Sequence, residues 1–150
     1  MKDRIEFIRL AIVLLVLFFI GKLVVGASGG SYDLGNRLFA MVPMTIHLAL
    51  LFGAMTRAFR GEGKGSAFIT GACIALVAQL LIFGGTMLSY LLGVSTHFND
   101  PMAIVGENRE VLLGEALMAR AAGVVFNPIL GGVSGLIGWA MGGLIPSKKA

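Results

Sequence analysis

Four stretches of this chain are too long and too free of charge to face water. The first, from Leu10 to Val25, is sixteen residues of mostly Leu, Ile, Val and Phe with Lys22 as its one charge. The others, over about 38–56, 66–94 and 128–145, contain no Asp, Glu, Lys or Arg at all. A helix rises about 1.5 Å per residue, so each run can cross the roughly 30 Å hydrocarbon core of a bilayer. Overall composition agrees. The chain is 57% hydrophobic and 13% charged, where soluble domains carry about 25% charge. The sequence therefore predicts an all-α integral membrane four-helix bundle, one transmembrane domain over 1–150 with spans at about 9–26, 38–56, 66–94 and 128–145. A signal peptide competes for the first run, because Val25 and Ala27 resemble a cleavage site after a basic start. The run is longer than a usual signal core, and Lys22 sits just before the cut.

Between the runs, turn chemistry marks the connections. GASGGSYDLGNR at 26–37 reads as a short mobile loop, and RAFRGEGKGS after the second run as a tight basic hairpin. Ser66 is the expected N-cap of the third span. Asn99, Asp100 and Pro101 mark a turn. Residues 107–126 suit an amphipathic helix lying in the outer interface, followed by a new span that Asn127 caps and Pro128 begins. A single helix from Glu107 to Ile145, kinked at Pro128, is the alternative.

The basic residues orient this arrangement. With the N-terminus inside, Lys2, Arg4, Arg9, Arg57, Arg60, Lys64, Lys148 and Lys149 are cytoplasmic, eight of the twelve Lys and Arg. Lys22, Arg37, Arg109 and Arg120 fall outside with five of the eight acids, Asp33, Asp100, Glu107, Glu110 and Glu115. The positive-inside bias of short loops then places both termini in the cytoplasm, as in a multi-pass protein of a bacterial inner membrane. Lys22 and Arg9 are expected to snorkel towards opposite interfaces.

Helices in lipid associate by close packing of small residues. Gly131, Gly135, Gly138 and Gly142 share one face of the fourth span, and Gly71, Ala75, Ala78, Gly85 and Ser89 offer a similar stripe on the third. The two helices are expected to touch along these stripes.

Polar groups inside the spans are few. His47, Gln79 and Asn127 are the candidates, since polar residues in lipid are costly and often functional. The plainer reading makes His47 a neutral imidazole bonded nearby and Gln79 an interhelical hydrogen bond. Glu115 and Arg120, five residues apart, read as solvated or interfacial. No cofactor, metal or catalytic motif is legible: GEGKGS lacks phosphate-loop spacing, and His97 has no clustered thiols or carboxylates near it in sequence. The basic residues form no stripe suited to nucleic acid.

The layout, with FRGEGKGSAFITG before the third span, FNDP ahead of acidic residues, and GGVSGLIGWAMGGLIP in the last span, resembles small four-span bacterial membrane proteins of a family of unknown function. That resemblance implies the architecture and brings no active site. RLAIVLLVLFFIGKL alone resembles the opening helix of DoxX-like membrane proteins, a likeness that the later spans do not continue. Function is then expected to be that of a non-enzymatic accessory or structural membrane subunit, whose partners are the lipid bilayer and other membrane subunits or a second copy of itself. The alternative is a small transporter or channel with His47 and Gln79 along its path.

Overall fold

The computed structural model describes residues 2–144 and is an all-α four-helix bundle. A short α1 (Lys2–Phe7) leads into α2 (Arg9–Ala27). Then come α3 (Tyr32–Leu38), α4 (Met41–Ala58), α5 (Lys64–Leu92), α6 (Pro101–Ile104) and α7 (Leu113–Gly142). Four helices are long and apolar enough to cross a membrane, α3 running on into α4 as one of them. The chain has the architecture of a multi-pass membrane protein. Its spans alternate in direction, so α1 and the α4–α5 hairpin share one end of the bundle while α3 and α6 share the other. Lys148, Lys149 and the expected end of the last span at Ile145 and Pro146 lie outside the described residues.

Local chemistry accounts for the element boundaries, several of which differ from the sequence expectation. Residues 26–37 are not simply a loop: Ser31 caps a helix there, its hydroxyl accepting from Leu34 N at 3.2 Å. Asp33 in the first turn and Arg37 in the last match the helix dipole. Pro43 lies in the first turn of α4, where its missing N–H has no intrahelical partner to lose. α5 begins at Lys64 after Gly63, so Ser66 is not its cap. The Ser66 hydroxyl instead donates to the Glu62 carboxylate. α5 ends at Gly93, whose φ of 62° is left-handed and suits glycine. Asp100 caps α6 by accepting from Met102 N at 2.9 Å, with Pro101 in its first position.

The largest difference concerns the last third of the chain. Residues 113–142 form one helix that passes through Pro128, not an interfacial helix followed by a separate span. Proline deletes one backbone bond, but the remaining ladder and the packing on both sides carry the helix through. Residues 107–112 stay outside it, tied down by Tyr90, whose hydroxyl donates to Val111 O at 2.7 Å.

α4, α5 and α7 pack closely on one another, and α2 leans on α4 and α5. α7 makes this possible with glycine. Gly131 lies against Gly71 O and Ala75, Gly135 against Gly53 and Ala67 O, Gly138 against Leu50 O, and Gly142 against Ala54 O. At each place a Cβ would overlap the neighbouring helix. Gly85 and Ser89, expected at the same seam, lie elsewhere. Gly85 packs under the rings of Phe19 and Phe98, and the Ser89 hydroxyl pairs with Thr96 Oγ1 at 2.7 Å.

The hairpin end is fastened by Trp139, whose indole N–H donates to Glu62 O at 2.8 Å beneath the Arg57 guanidinium. Arg60 pairs with Glu62 and covers the Phe7 ring. The hydrogen bond from Ser66, followed by the Arg60 pair, holds the Glu62 carboxyl below its ordinary value of 4.5.

Replacing Gly135 with Ala should force α7 off α5 and lower thermal stability in detergent by about 1–3 kcal/mol. Gly84→Ala, in α5 but facing open space, should be neutral or stabilising by up to about 1 kcal/mol. Equal melting temperatures for the two variants would refute the packing argument. A carboxylate with a depressed folded pKa stabilises above its unfolded pKa and loses that contribution as pH falls through the folded one. The difference in melting temperature between wild type and Glu62→Gln should therefore be present at neutral pH and vanish as the solution is acidified below 4.5.

Candidate functional site

At the α3 end the four spans separate around a cavity of about 370 Å³. Its polar lining is Lys22 from α2, Tyr32 and Asn36 from α3, His97 from the α5–α6 connection, and Arg120 from α7. Its apolar walls include Met41, Val42 and Pro43 at the start of α4, with Ile82 of α5 and Phe98.

Lys22 does not snorkel. It is only 8% exposed, and its ammonium turns inward to donate to Asn36 Oδ1 at 2.6 Å, with the Tyr32 ring 5.5 Å away. Arg120 is half-buried. Its Nε donates to Thr86 Oγ1 at 3.2 Å and its Nη2 to Phe98 O at 3.1 Å. The Thr86 hydroxyl passes its own hydrogen to Phe98 O or Ile82 O, both at 3.0 Å. Two cations from opposite helices thus share one cavity, near enough to feel each other's charge. No carboxylate lines it, and among the described residues neither cation has an ion-pair partner. Asp100, whose field also reaches Lys22, is engaged in capping α6.

The wall at His97 depends on two glycines. Gly26 of α2 allows the backbone at Thr96 and His97 to lie directly on that helix, and Gly35 of α3 leaves the space that the imidazole fills. His97 is 3% exposed, and its Nε2–H donates to Gly30 O at 2.9 Å. Its Nδ1 is buried and has no hydrogen-bond partner among the described residues. Phe98 follows, wedged between Phe19 at 5.0 Å and Gly85. The Thr96 N–H is bonded by Asn99 Oδ1 at 2.7 Å, and Asn99 donates in turn to Val94 O at 3.1 Å. The connection is a built wall, pinned to α2, α3, α5 and α7.

No protein-family model matches this chain, nor does any curated protein or solved structure.

The residues singled out in the sequence are dispersed. His47 faces outwards from α4, its Nδ1 donating to Pro43 O of its own helix at 2.7 Å. Gln79 is 5% exposed and lies beside Gly123 of α7. With Asn127 it forms the floor of a narrow crevice of about 30 Å³ between α4 and α7. Gln79 and Asn127 therefore meet, and His47 is on another face. Lys22, Arg120 and His97 were each visible as isolated polar residues, but nothing in their spacing brings together positions 22, 97 and 120. The available signal was a lysine and an arginine inside apolar runs with no acid within a helical turn of either.

Like charges held together in a poorly hydrated site work against folding, and replacing such groups with apolar ones is often stabilising. Lys22→Met should therefore raise the melting temperature of ligand-free protein, by about 1 kcal/mol in stability. A clear loss of stability would mean that Lys22 serves the fold and not a site.

Proposed function

We propose that this chain is a non-enzymatic accessory protein of a bacterial inner membrane that holds a small acidic molecule in the cavity at its outward end. One observation carries the reading: Lys22 and Arg120, drawn from opposite helices into a shared cavity, have no ion-pair partner among the described residues. Burying an unpaired cation is expensive, and an incoming anion lowers that cost by supplying the missing charge. The ammonium and guanidinium offer charge-assisted hydrogen bonds suited to a carboxylate or phosphate. Tyr32 and Asn36 add a hydroxyl and an amide. The cavity has the size of ordinary small-molecule sites, about 300–1,000 Å³.

The orientation rests on the basic residues. Arg4, Arg57, Arg60 and Lys64 gather at the hairpin end, and Asp33, Asp100, Glu107 and Glu115 at the cavity end, which favours cytoplasmic termini. A transport path along His47 and Gln79 has less support, because one side chain is outside the bundle and the other within it.

Purified protein should bind a short water-soluble carboxylate or inorganic phosphate, measured by calorimetry, with affinity falling about tenfold or more in Lys22→Met and in Arg120→Gln. Lys22→Arg, which keeps the charge, should retain most of it. Binding that ignores both substitutions would refute the site. For orientation, cysteine introduced at Glu107 in a Cys73→Ser background should react with a membrane-impermeant maleimide in intact cells, and cysteine at Gly61 should not. The reverse pattern would invert the topology.

A further inference from the structure

The cationic cavity does not stand alone. Val42 lines both it and the narrow crevice of Gln79 and Asn127, so the two adjoin at this side chain on the outside of α4. The rims of the lower part are apolar and face outwards: Val42 is 47% exposed, Ile46 39% and Leu130 59%. These positions lie within a candidate span, where the surroundings are hydrocarbon chains. Charge is therefore concentrated at the upper end, beside Lys22 and Arg120, and a hydrocarbon-lined groove leads away from it towards the middle of the membrane. Asn127 lies seven positions after Arg120 on α7, about 10 Å at the helical rise. The amides of Gln79 and Asn127 thus offer a second, neutral hydrogen-bonding station that distance below the charged one.

A free inorganic anion would use only the upper end. An amphiphile uses all of it. We propose that the occupant of the cavity is an acidic lipid taken from the bilayer, its carboxylate or phosphate head between Lys22 and Arg120 and its chain in the groove between α4 and α7. This inference rests on the anion-binding reading above and adds the source of the anion and its route of entry, sideways past Val42. The chemistry needed is charge complementarity at the head, supplied by two unneutralised cations, and apolar contact along the chain, supplied by Val42, Ile46 and Leu130. The bilayer supplies such molecules at high local concentration, so modest affinity suffices for occupancy.

The test uses the full-length chain in nanodiscs of zwitterionic lipid, with radiolabelled dodecanoate as the probe and dodecanoate, dodecanol and butyrate as competitors. Dodecanoate is expected to compete at least about tenfold better than either dodecanol, which lacks the charge, or butyrate, which lacks the chain. Ile46→Trp, which fills the crevice from an exposed position and does not line the cationic cavity, should weaken dodecanoate several-fold and leave butyrate unchanged. Leu130→Trp, on the opposite rim, provides a second block should the first variant misfold. If butyrate competes as well as dodecanoate and neither tryptophan matters, the lipid inference falls while the anion site stands. If dodecanol competes equally, charge is irrelevant and the inference falls. If dodecanoate binding is indifferent to Lys22→Met and Arg120→Gln, the inference and the anion site fall together.

Discussion

Backbone contact between α7 and its neighbours governs the shape of this bundle. Hydrocarbon gives helices little reason to associate, so attraction must come from many close van der Waals contacts. Gly131, Gly135, Gly138 and Gly142 let α7 approach until carbonyl oxygens of α4 and α5 lie where side chains would otherwise be. The seam occupies only the hairpin half of α7. Above Gly131 the facing groups are side chains, starting with Gln79 and Asn127. The cavity at the α3 end is the complement of this tight seam.

That cavity would stand open to lipid or water if nothing closed it. α3 and the connection from Gly93 to Pro101 do so, using hydrogen bonds that are satisfied locally. Ser31 caps α3, Asn99 folds its own loop, and Thr86 ties Phe98 O to the α5 backbone and to Arg120. Gly26 and Gly35 allow His97 to fit against two helices at once. With the walls anchored in this way, the cations inside are held in place without carboxylate partners among the described residues. Their cost is borne by the rest of the fold, a pattern more typical of binding sites than of structural ones.

The two ends of the bundle use charge differently. At the hairpin end, Arg60 meets Glu62, while Arg57 and Lys64 stack on Trp139, so charge is neutralised or laid on an aromatic face. At the cavity end the acids engage elsewhere: Glu107 and Glu115 take Arg109, and Asp100 caps a helix. Lys22 and Arg120 are left facing the interior. The difference lies less in composition than in which partners the backbone brings within reach.

The number of apolar spans and the small-residue face of α7 were legible from residue order, because lipid solubility and helical periodicity are properties of neighbouring residues. Tertiary structure decided the rest. The continuity of α7 through Pro128 depends on packing against α4 and α5, not on the proline alone. The helix over Tyr32–Leu38 appears in a segment whose glycines and serines read as loop, because Ser31 and the dock at His97 stabilise it. Above all, the inward turn of Lys22 required Asn36 to be waiting across a turn of chain, and its meeting with Arg120 required two helices distant in sequence to face one cavity. Sequence order encodes which solvent a segment prefers; which cations must share a space is set only when distant helices are brought together.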